Sequence, residues 1–289
     1  MKREEINIRD PYVLLHEGNY YLYGTRSEST WGRAEAFDCY VSCDLEEFEG
    51  PFEIYHKPED SPFDACYWAP ECYAYMGRFY LLTTLGTLDG SRKKGIYVLQ
   101  SDSPTGPFEM YSGRITPEDW TSIDGTLYFE DDIPYMVFSH SFEDPGSRNG
   151  DFCMMQLTKD LKAQEKHTEI IRLFSAAESP WARPVPFAEE EFGISEACYF
   201  SDGPAFMKIN DKLHMIYSSW SSKGYALGTA LSATGSIKGP WILNEKPLFA
   251  ENGGHGMLFK GKDGKIYLSL HHPNDLYAER PVFIPMGSF

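Results

Sequence analysis

One short pattern recurs five times along the chain, and it constrains the fold more than any other feature of the sequence. Each copy is a turn that contains Gly, Asp or Pro, followed by a short strand of aromatic and aliphatic residues. The five copies read "HEGNYYLYGT", "YMGRFYLLTT", "EDDIPYMVFS", "INDKLHMIYS" and "KDGKIYLSLH". When the turns are aligned, one strand position is shared by Tyr21, Tyr80, Tyr135, His214 and Tyr267. Repeats of roughly 50–60 residues that each hold several strands are typical of the blades of a β-propeller.

The composition supports the same fold class. Of the 289 residues 15% are aromatic, and 25 Gly and 19 Pro supply turns between many short strands. No segment keeps a sustained helical period. We therefore predict an all-β protein with a single domain, a five-bladed β-propeller over residues 1–289. The stretch "SAAESPWARPVPFAEEEFGISEA", ahead of the fourth copy, is predicted to be an irregular loop on one face. A loop of this length is usually functional or disordered.

The charge and the cysteines limit the partners and the compartment. A formal net charge of −17 opposes binding to nucleic acid or to an anionic membrane, because both need a cationic surface. The first residues, "MKREEINIRD", lack the apolar core of a secretory signal, so we expect a cytoplasmic protein unless a signal has been removed from this sequence. The six cysteines form no CxxC pair and are expected to be mostly buried free thiols, although spacing alone leaves disulfides open. The sequence does not indicate an oligomeric state.

Acidic residues stand at related places in three of the five copies. Counting eleven residues back from the aligned position gives Asp10 in the first copy and Asp124 in the third. Asp202 in the fourth copy and His255 in the fifth lie one residue further back, while the second copy has Ala69 within "WAPE". Because the first strand of each propeller blade lines the central channel, these positions are predicted to meet at one mouth. A single Asp beside Gly or Pro is a common turn residue, but three at related positions predict a shared site.

Such a set of carboxylates suits glycoside hydrolysis. One carboxylate activates a water molecule while a second, protonated carboxyl group gives its proton to the leaving oxygen. A third carboxylate nearby raises the pKa of the acid by repulsion between like charges and keeps it protonated near neutral pH. The acidic clusters at 130–132 and 189–191, and the pair Glu143 and Asp144, are expected to be ordinary turn and surface charge.

The five blade openings, in their order along the chain, resemble those of glycoside hydrolase family 43. The matching stretches are "IRDPYVLLHEGNYYLYGT", "YWAPECYAYMGRFYLLTT", "SIDGTLYFEDDIPYMVFS", "SDGPAFMKINDKLHMIYSSW" and "GGHGMLFKGKDGKIYLSLHHPN". The likeness runs from about Ile8 to Pro281. It implies that Asp10 is the general base, that Asp124 is the auxiliary carboxylate that tunes and orients the acid, and that Asp202 is the general acid.

One of these positions departs from the family pattern. The family usually has Glu before Gly-Pro, whereas this chain has Asp202. The side chain of Asp is one methylene shorter, which places its carboxyl group about 1–1.5 Å further from the leaving oxygen. A displacement near 1 Å can lower the rate ~100-fold. Either the backbone advances to compensate, or another acid such as Glu71 or Glu196 shares the task, or the activity is low.

The resemblance also implies residues that contact the sugar. Trp68 resembles a Trp that lies against the terminal sugar, with blade packing as the alternative. Arg280 resembles an Arg that reaches the substrate or the acid, with a surface ion pair as the alternative. Glu71, next to the second opening, is expected to contact the substrate. Trp31 and Trp181 stand in loops whose position relative to the site the sequence does not determine.

His255, within "GGHG", is expected to face the channel. In the family the equivalent His lies near a bound calcium ion or a water molecule, so His255 is predicted to contact the substrate or to help hold a structural Ca²⁺. A histidine satisfied by hydrogen bonds within the fold is the alternative. Calcium prefers oxygen ligands, and the chain has no acidic loop of the EF-hand type. The reaction itself is predicted to need no cofactor.

These features together predict a glycosidase that acts on an oligosaccharide or polysaccharide. It would hydrolyse arabinofuranosyl or xylosyl linkages of plant polysaccharide fragments with inversion of configuration. One alternative is a propeller glycosidase for another neutral sugar, a galactoside or a fructoside. The other, which the Asp at position 202 keeps open, is a carbohydrate-binding propeller with impaired catalysis.

Overall fold

Five antiparallel sheets are arranged in a ring in the computed structural model, which describes residues 1–287. Within these residues four sheets have four strands and the last has three, and neighbouring strands follow one another along the chain. The prediction of an all-β, five-bladed propeller is confirmed. No helix among the described residues has both the length and the apolar character needed to cross a membrane.

The strands are numbered along the chain and fall into five blades. Blade I contains β1 (Ile8–His16), β2 (Asn19–Arg26), β3 (Ala36–Ser42) and β4 (Glu49–His56). Blade II contains β5 (Ala65–Tyr75), β6 (Arg78–Gly86), β7 (Gly95–Ser101) and β8 (Glu109–Met110). Blade III contains β9 (Ser122–Glu130), β10 (Ile133–His140), β11 (Asp151–Gln156) and β12 (Ile171–Phe174). Blade IV contains β13 (Asp202–Ile209), β14 (Lys212–Ser221), β15 (Gly224–Ser232) and β16 (Trp241–Leu243). Blade V contains β17 (Gly254–Lys260), β18 (Ile266–His272) and β19 (Arg280–Pro285).

The helical segments are short. Three turns of 3₁₀-helix cover Arg3–Glu5, Ser27–Ser29 and Ala176–Glu178, and one α-helix, α1, covers Ala188–Phe192. The last two interrupt the connection between blades III and IV, so the segment predicted to be an irregular loop is irregular apart from these two pieces.

The hairpin between the first two strands explains the repeated turn pattern. In blades I to IV a two-residue turn joins these strands, and both turn residues have positive φ, as at Glu17 (46°) and Gly18 (79°). This is the backbone of a type I′ turn, whose twist matches that of the flanking strands. In blade V the turn between Lys260 and Ile266 has five residues instead. Counting back from the aligned position is therefore one residue off in blade V.

A β-bulge near the start of every first strand sets the direction of the side chains at the channel mouth. The strand register shifts at each of these points. Bulges redirect side chains and are common near functional sites. The bulge residues and their positive φ values are Asp10 (55°), Ala69 (42°), Asp124 (57°), Gly203 (54°) and His255 (46°).

The positions of the bulges correct one sequence prediction. His255 is the structural equivalent of Asp10 and Asp124, because it occupies the bulge of blade V. Asp202 lies one residue before the bulge of blade IV, at Gly203. The expectation that Asp202 and His255 share one position was wrong, and the longer turn in blade V is the reason.

Hydrogen bonds from the bulge residues connect the five blades into a closed ring. Each bulge residue donates its backbone N–H to a side chain of the preceding blade, and blade I donates to blade V. Four of the acceptors stand four residues after the aligned position in a second strand, and each is at most 1% exposed. The donor and acceptor pairs are Asp10 with His271 Nδ1 (3.2 Å), Ala69 with Thr25 Oγ1 (2.9 Å), Asp124 with Thr84 Oγ1 (3.1 Å), Gly203 with Asp124 Oδ2 (3.0 Å) and His255 with Ser218 Oγ (2.8 Å).

Aromatic and aliphatic side chains fill the spaces between the blades. Between blades I and II, for example, Tyr23, Phe37 and Leu81 are almost fully buried in one cluster. The six cysteines are unpaired thiols, four of them buried, which confirms the expectation of mostly buried free thiols.

A buried ion pair fastens blade I to blade V. The guanidinium of Arg9 lies 2.9 Å from Oε1 of Glu279, whose side chain is fully buried. Oε2 of Glu279 accepts a hydrogen bond of 2.6 Å from Ser27 Oγ, and its backbone oxygen accepts one of 2.8 Å from Asn7. The first and last strands of the ring therefore share one buried carboxylate.

We predict that Glu279→Gln lowers the free energy of unfolding by about 3–5 kcal/mol, because Arg9 is left as an unpaired buried charge. Urea unfolding measures this loss. The matched control is Glu46→Gln, whose pair with Arg3 is largely exposed and whose loss we expect to stay below ~1 kcal/mol. Equal small losses for both variants would contradict the role of Glu279 in closing the ring.

Candidate active site

A cleft of about 580 Å³ lies at the end of the ring where the first strands begin. Its volume is within the range of pockets that hold small organic ligands, ~300–1,000 Å³. Asp10, Asp124, Asp202, His255 and Trp68 all line it, although they come from five different blades. The structure thus brings together the three acids that the repeat pattern predicted to meet.

The environment of Asp10 favours its ionised form. Oδ2 accepts a hydrogen bond of 2.7 Å from Thr25 Oγ1, and Oδ1 lies 3.3 Å from Nδ1 of His255. Burial alone would raise the pKa of Asp10, but His255, the neighbouring Arg9 and the Thr25 hydroxyl outweigh it and lower the pKa. Asp10 is therefore a carboxylate over the ordinary pH range.

The environment of Asp202 has the opposite effect. Its carboxyl group is half-buried in the cleft, and it is repelled by the negative charges of Asp124 and Asp10. Burial and this repulsion raise its pKa well above the ordinary value, although a hydrogen bond of 3.2 Å from the Tyr225 hydroxyl favours the charged form. Two carboxyl groups in one cleft whose pKa values are displaced in opposite directions are the usual arrangement of a base and an acid.

Asp124 interacts with the surroundings of both carboxyl groups. Its Oδ2 accepts the N–H of Gly203, the residue that follows Asp202, so it fixes the backbone on which Asp202 stands. Burial and the charge of Asp10 raise its pKa, while His255 and the N–H of Gly203 act in the other direction. This geometry fits a carboxylate that orients and tunes a neighbouring acid.

His271 and Tyr225 form a second connection between Asp10 and Asp202. His271 is fully buried, and burial followed by the charge of Arg9 lowers its pKa to about 3, so the ring is neutral. Nδ1 accepts the N–H of Asp10, while Nε2 pairs with Oδ1 of Asn274 at 3.0 Å. The ring stacks on Tyr225, with 5.7 Å between centroids, and Tyr225 in turn holds Asp202. Sequence reasoning missed both residues.

The wall on the side of Asp10 is partly charged. Trp68 is held by a hydrogen bond of 2.7 Å from Nε1 to the backbone oxygen of Thr30 and meets Trp31 edge to face, at 5.3 Å. Lys94 lies over the ring of Trp68, and Arg9 lies over the ring of Trp31. Trp68 and the loop residue Trp31 therefore both line the cleft, and the contact of Trp68 with a sugar stays a prediction.

Trp181, the other loop tryptophan, has a different place. It is 7% exposed and stacks on Tyr217 in the core of blade IV, with 6.0 Å between ring centroids.

Arg280 does not have the place that the resemblance implied. Its guanidinium donates to the backbone oxygens of Glu4 (2.9 Å) and Glu279 (2.8 Å), outside the residues that line the cleft. The arginine in the cleft is Arg9, which immediately precedes Asp10. The sequence could have indicated Arg9 through its position next to Asp10 in "IRDP", because a residue beside the bulge lies at the same end of the channel as the bulge residue.

The two acids considered as substitutes for Asp202 are also outside the cleft. Glu71 lies beneath it, beside a cavity of about 10 Å³ on the channel axis, and accepts a hydrogen bond from the Tyr73 hydroxyl. Burial raises the pKa of Glu71 to about 8, so the buried group is protonated at neutral pH. Glu196 is exposed and pairs with Arg148 at 2.6 Å. Glu71 was predicted to contact the substrate, but in the structure it lies outside the cleft and contacts Tyr73 in the interior of the protein.

Some acids that were expected to be ordinary surface charge belong to the site. Glu143 lines the cleft and lies 2.5 Å from Nζ of Lys94. Glu191, on α1, lines the cleft as well. Asp144 is also not surface charge: it is buried outside the residues that line the cleft and accepts hydrogen bonds from the backbone and the hydroxyl of Thr121. Sequence reasoning missed Glu143 and Glu191 because a turn and a short helix bring them over the mouth.

The side chain of His255 faces two of the carboxyl groups in the cleft. Its Nδ1 faces Asp10 at 3.3 Å and Asp124 at 3.9 Å, and its ring packs directly against Gly203. Among residues 1–287 no group of three or more His, Cys, Asp or Glu side chains is arranged to hold a metal ion. The Ca²⁺ considered from the resemblance stays a prediction, and no step proposed below depends on it.

The fold and the cleft define a five-bladed propeller with three carboxyl groups, those of Asp10, Asp124 and Asp202, at one mouth. Residues 5–284 match the model of the glycosyl hydrolases family 43. The chain belongs to this family.

Several relatives of known structure or activity are similar to the chain. An endo-arabinase from Bacteroides thetaiotaomicron VPI-5482 is 31% identical, with a TM-score of 0.86 and coverage of 100% of this chain and 99% of the other. An endo-1,4-beta-xylanase from the same organism is 26% identical, with a TM-score of 0.72 and coverage of 98% and 95%. An extracellular exo-alpha-(1->5)-L-arabinofuranosidase from Streptomyces avermitilis is 22% identical over 288 residues, which are 91% of this chain and 54% of that protein. The chain spans only about half of the curated relatives that it matches.

The raised pKa of Asp202 has a consequence for stability. A carboxyl group whose pKa is higher in the folded than in the unfolded protein makes stability fall as the pH rises from about 4, its unfolded pKa, towards its folded pKa. We predict that Asp202→Asn raises the Tm by a few degrees at pH 7 and that the gain disappears near pH 4. Thermal unfolding across this pH range measures it, with the exposed Asp60→Asn as the control. A gain that is independent of pH would contradict the assignment.

Proposed function

We propose that this protein is an inverting glycosidase that hydrolyses α-L-arabinofuranosyl linkages of arabinan-type oligosaccharides. The observation that carries the proposal is the pair Asp10 and Asp202, whose pKa values are displaced in opposite directions in one cleft. Membership of family 43 supports hydrolysis of a glycoside, and similarity to an endo-arabinase and an exo-arabinofuranosidase supports the sugar.

The reaction uses the side chains in complementary roles. Asp10, held as a carboxylate by Thr25 and His255, takes a proton from a water molecule as its oxygen attacks the anomeric carbon. The bond between that carbon and the leaving oxygen breaks, and the protonated Asp202 gives its proton to the leaving oxygen. The charge of Asp124 keeps Asp202 protonated until the bond begins to break.

The substitution of Asp for Glu at position 202 is accommodated by the surrounding contacts. The N–H of Gly203 is held by Asp124, and the carboxyl group of Asp202 is held by Tyr225, so both ends of this short side chain are fixed. Because a displacement of about 1 Å lowers the rate of hydrolysis strongly, a carboxyl group that is held in place supports catalysis. These contacts favour catalysis over the alternative of a propeller that only binds carbohydrate.

Hydrolysis of xylosyl linkages is the second candidate, because an endo-1,4-beta-xylanase is 26% identical over nearly the whole chain. A panel of aryl glycosides that includes α-L-arabinofuranoside and β-D-xyloside decides between them by comparing kcat/KM.

The stereochemical course tests the reaction. We predict that ¹H NMR of an early time point shows the inverted anomer of arabinose, because Asp10 activates water and forms no bond to the sugar. Asp10→Asn should lower kcat by several orders of magnitude, with azide restoring turnover through attack from the water side. A retained anomer would make Asp10 a nucleophile, and measurable binding without turnover would point to a carbohydrate-binding propeller.

The role of Asp202 predicts a loss that depends on the leaving group. A dinitrophenolate leaves with little help from a proton, whereas a sugar alcohol does not. Asp202→Asn should therefore lower kcat/KM by at least about 100-fold more on an arabino-oligosaccharide than on a dinitrophenyl arabinofuranoside. Asp202→Glu should also lower activity, because the surroundings fit the shorter side chain. Equal losses of Asp202→Asn on both substrates would show that Asp202 acts in binding or folding.

A further inference from the structure

The wall of the cleft next to Asp202 is aromatic, and apart from the hydrogen bond from Tyr225 to Asp202 its side chains have no role in the mechanism above. Four side chains of the blade III–IV connection and blade IV form it: Phe187, Phe200, Trp220 and Tyr225. Three of them, all except Tyr225, are only half-buried, so their rings face the open cleft that they line. We define this set as the aromatic wall.

The rings of the aromatic wall contact one another in a continuous series. Phe187 meets Trp220 edge to face with 5.1 Å between centroids, and Trp220 lies 6.3 Å from Phe200. Phe200 and Trp220 both contact Tyr225, at 6.4 and 6.5 Å. Pairs of aromatic rings at these separations stabilise each other, so the wall is a preformed surface.

Strand pairing fixes the wall relative to Asp202. Trp220 and Tyr225 are direct cross-strand partners on β14 and β15. Asp202 pairs with Ser218, two residues before Trp220 on β14. Phe200 precedes Asp202 by two residues, and its backbone oxygen accepts a hydrogen bond of 2.7 Å from Ser219. The wall and the acid are thus held by the same hydrogen-bonded edge of blade IV.

The position of Asp202 indicates which part of the substrate lies beside the aromatic wall. In the mechanism proposed above, on which this step rests, Asp202 must lie within hydrogen-bond distance of the leaving oxygen. The water and Asp10 act on the opposite side of the sugar ring. A group attached to the leaving oxygen therefore extends along the side of the cleft where the aromatic wall stands, away from Arg9 and Trp31.

We propose that the aromatic wall is the binding subsite for the leaving group and selects it by an apolar face. The class of ligand is a group with a flat apolar surface, either an aromatic ring or the CH face of a second sugar. The four rings carry only two polar atoms, the indole N–H of Trp220 and the Tyr225 hydroxyl, and the hydroxyl is already used by Asp202. Recognition of the leaving group thus depends on apolar contact more than on the configuration of its hydroxyl groups.

A comparison of glycosides whose leaving groups have nearly equal acidity separates the effect of apolar contact with the wall from the effect of proton donation. Methyl and benzyl α-L-arabinofuranoside both release a simple alcohol, so the proton from Asp202 is equally necessary for each. We expect the parent protein to cleave the benzyl glycoside with a kcat/KM about tenfold higher, the factor that roughly 55 Å² of buried apolar surface provides at ~25 cal/mol per Å². The α-1,5-linked disaccharide is the third substrate and tests the sugar face.

Trp220→Ala and, as a second variant on the loop side, Phe187→Ala should each lower the benzyl to methyl ratio to about 1–3. Trp31→Ala, on the opposite wall, should leave that ratio unchanged. A lowered ratio for benzyl alone assigns the wall to aromatic leaving groups, and a lowered ratio for the disaccharide alone assigns it to a sugar. Unchanged ratios for both substrates in both folded variants, checked by their Tm, would overturn the proposal.

A measurement without turnover separates this proposal from the proposed function. Saturation-transfer NMR of benzyl alcohol reports contact with the wall directly. Loss of the signal in Trp220→Ala supports the subsite even if no arabinofuranoside is cleaved, in which case only the proposed function fails. An equal signal in the parent and in Trp220→Ala would overturn the subsite even if hydrolysis is observed.

Discussion

The structure depends on a ring of five hydrogen bonds from the bulge residues to the preceding blades. Each bulge places a residue in the left-handed backbone region, which is unfavourable for most residues other than Gly, Asn and Asp. A buried N–H without a partner would add to that cost, so each one requires an acceptor. Second-strand side chains such as Thr25 and Thr84 supply it. The same contacts that hold neighbouring blades together thereby set the direction of the side chains at the mouth.

Blade IV shows how function enters this ring. Its bulge residue is Gly203, and the acceptor of its N–H is the carboxylate of Asp124 rather than a second-strand hydroxyl. One blade contact is therefore also the contact that fixes the acid. The arrangement brings three carboxyl groups together in one cleft, which opposes folding at neutral pH but displaces the pKa values of Asp10 and Asp202 in opposite directions. The cluster therefore lowers the stability of the folded protein while it provides the pKa values that the proposed reaction needs.

The limits of sequence reasoning follow from what repeats and what does not. The hairpin turns and the acids recur at nearly constant spacing, so the propeller and Asp10, Asp124 and Asp202 were predictable. Thr25, Thr84, Ser139, Ser218 and His271 recur at one spacing as well, and this pattern of polar residues was overlooked among the hydrophobic ones. The error at His255 came from a turn that is longer in blade V, because counting along a sequence cannot recognise an insertion.

The number of blades, the family and the acids at the channel mouth could be predicted from the sequence, because the turns and acids that indicate them recur at nearly constant spacing. The rest of the cleft depends on contacts between segments that are distant along the chain. Arg9 stands in the cleft and Arg280 outside it because closure of the ring pairs Arg9 with the buried Glu279, which is 270 residues away along the chain. Phe187, Phe200 and Glu143 reach the cleft through connections of irregular shape. Such connections follow no period, and their paths are set by packing against blades that are distant in sequence.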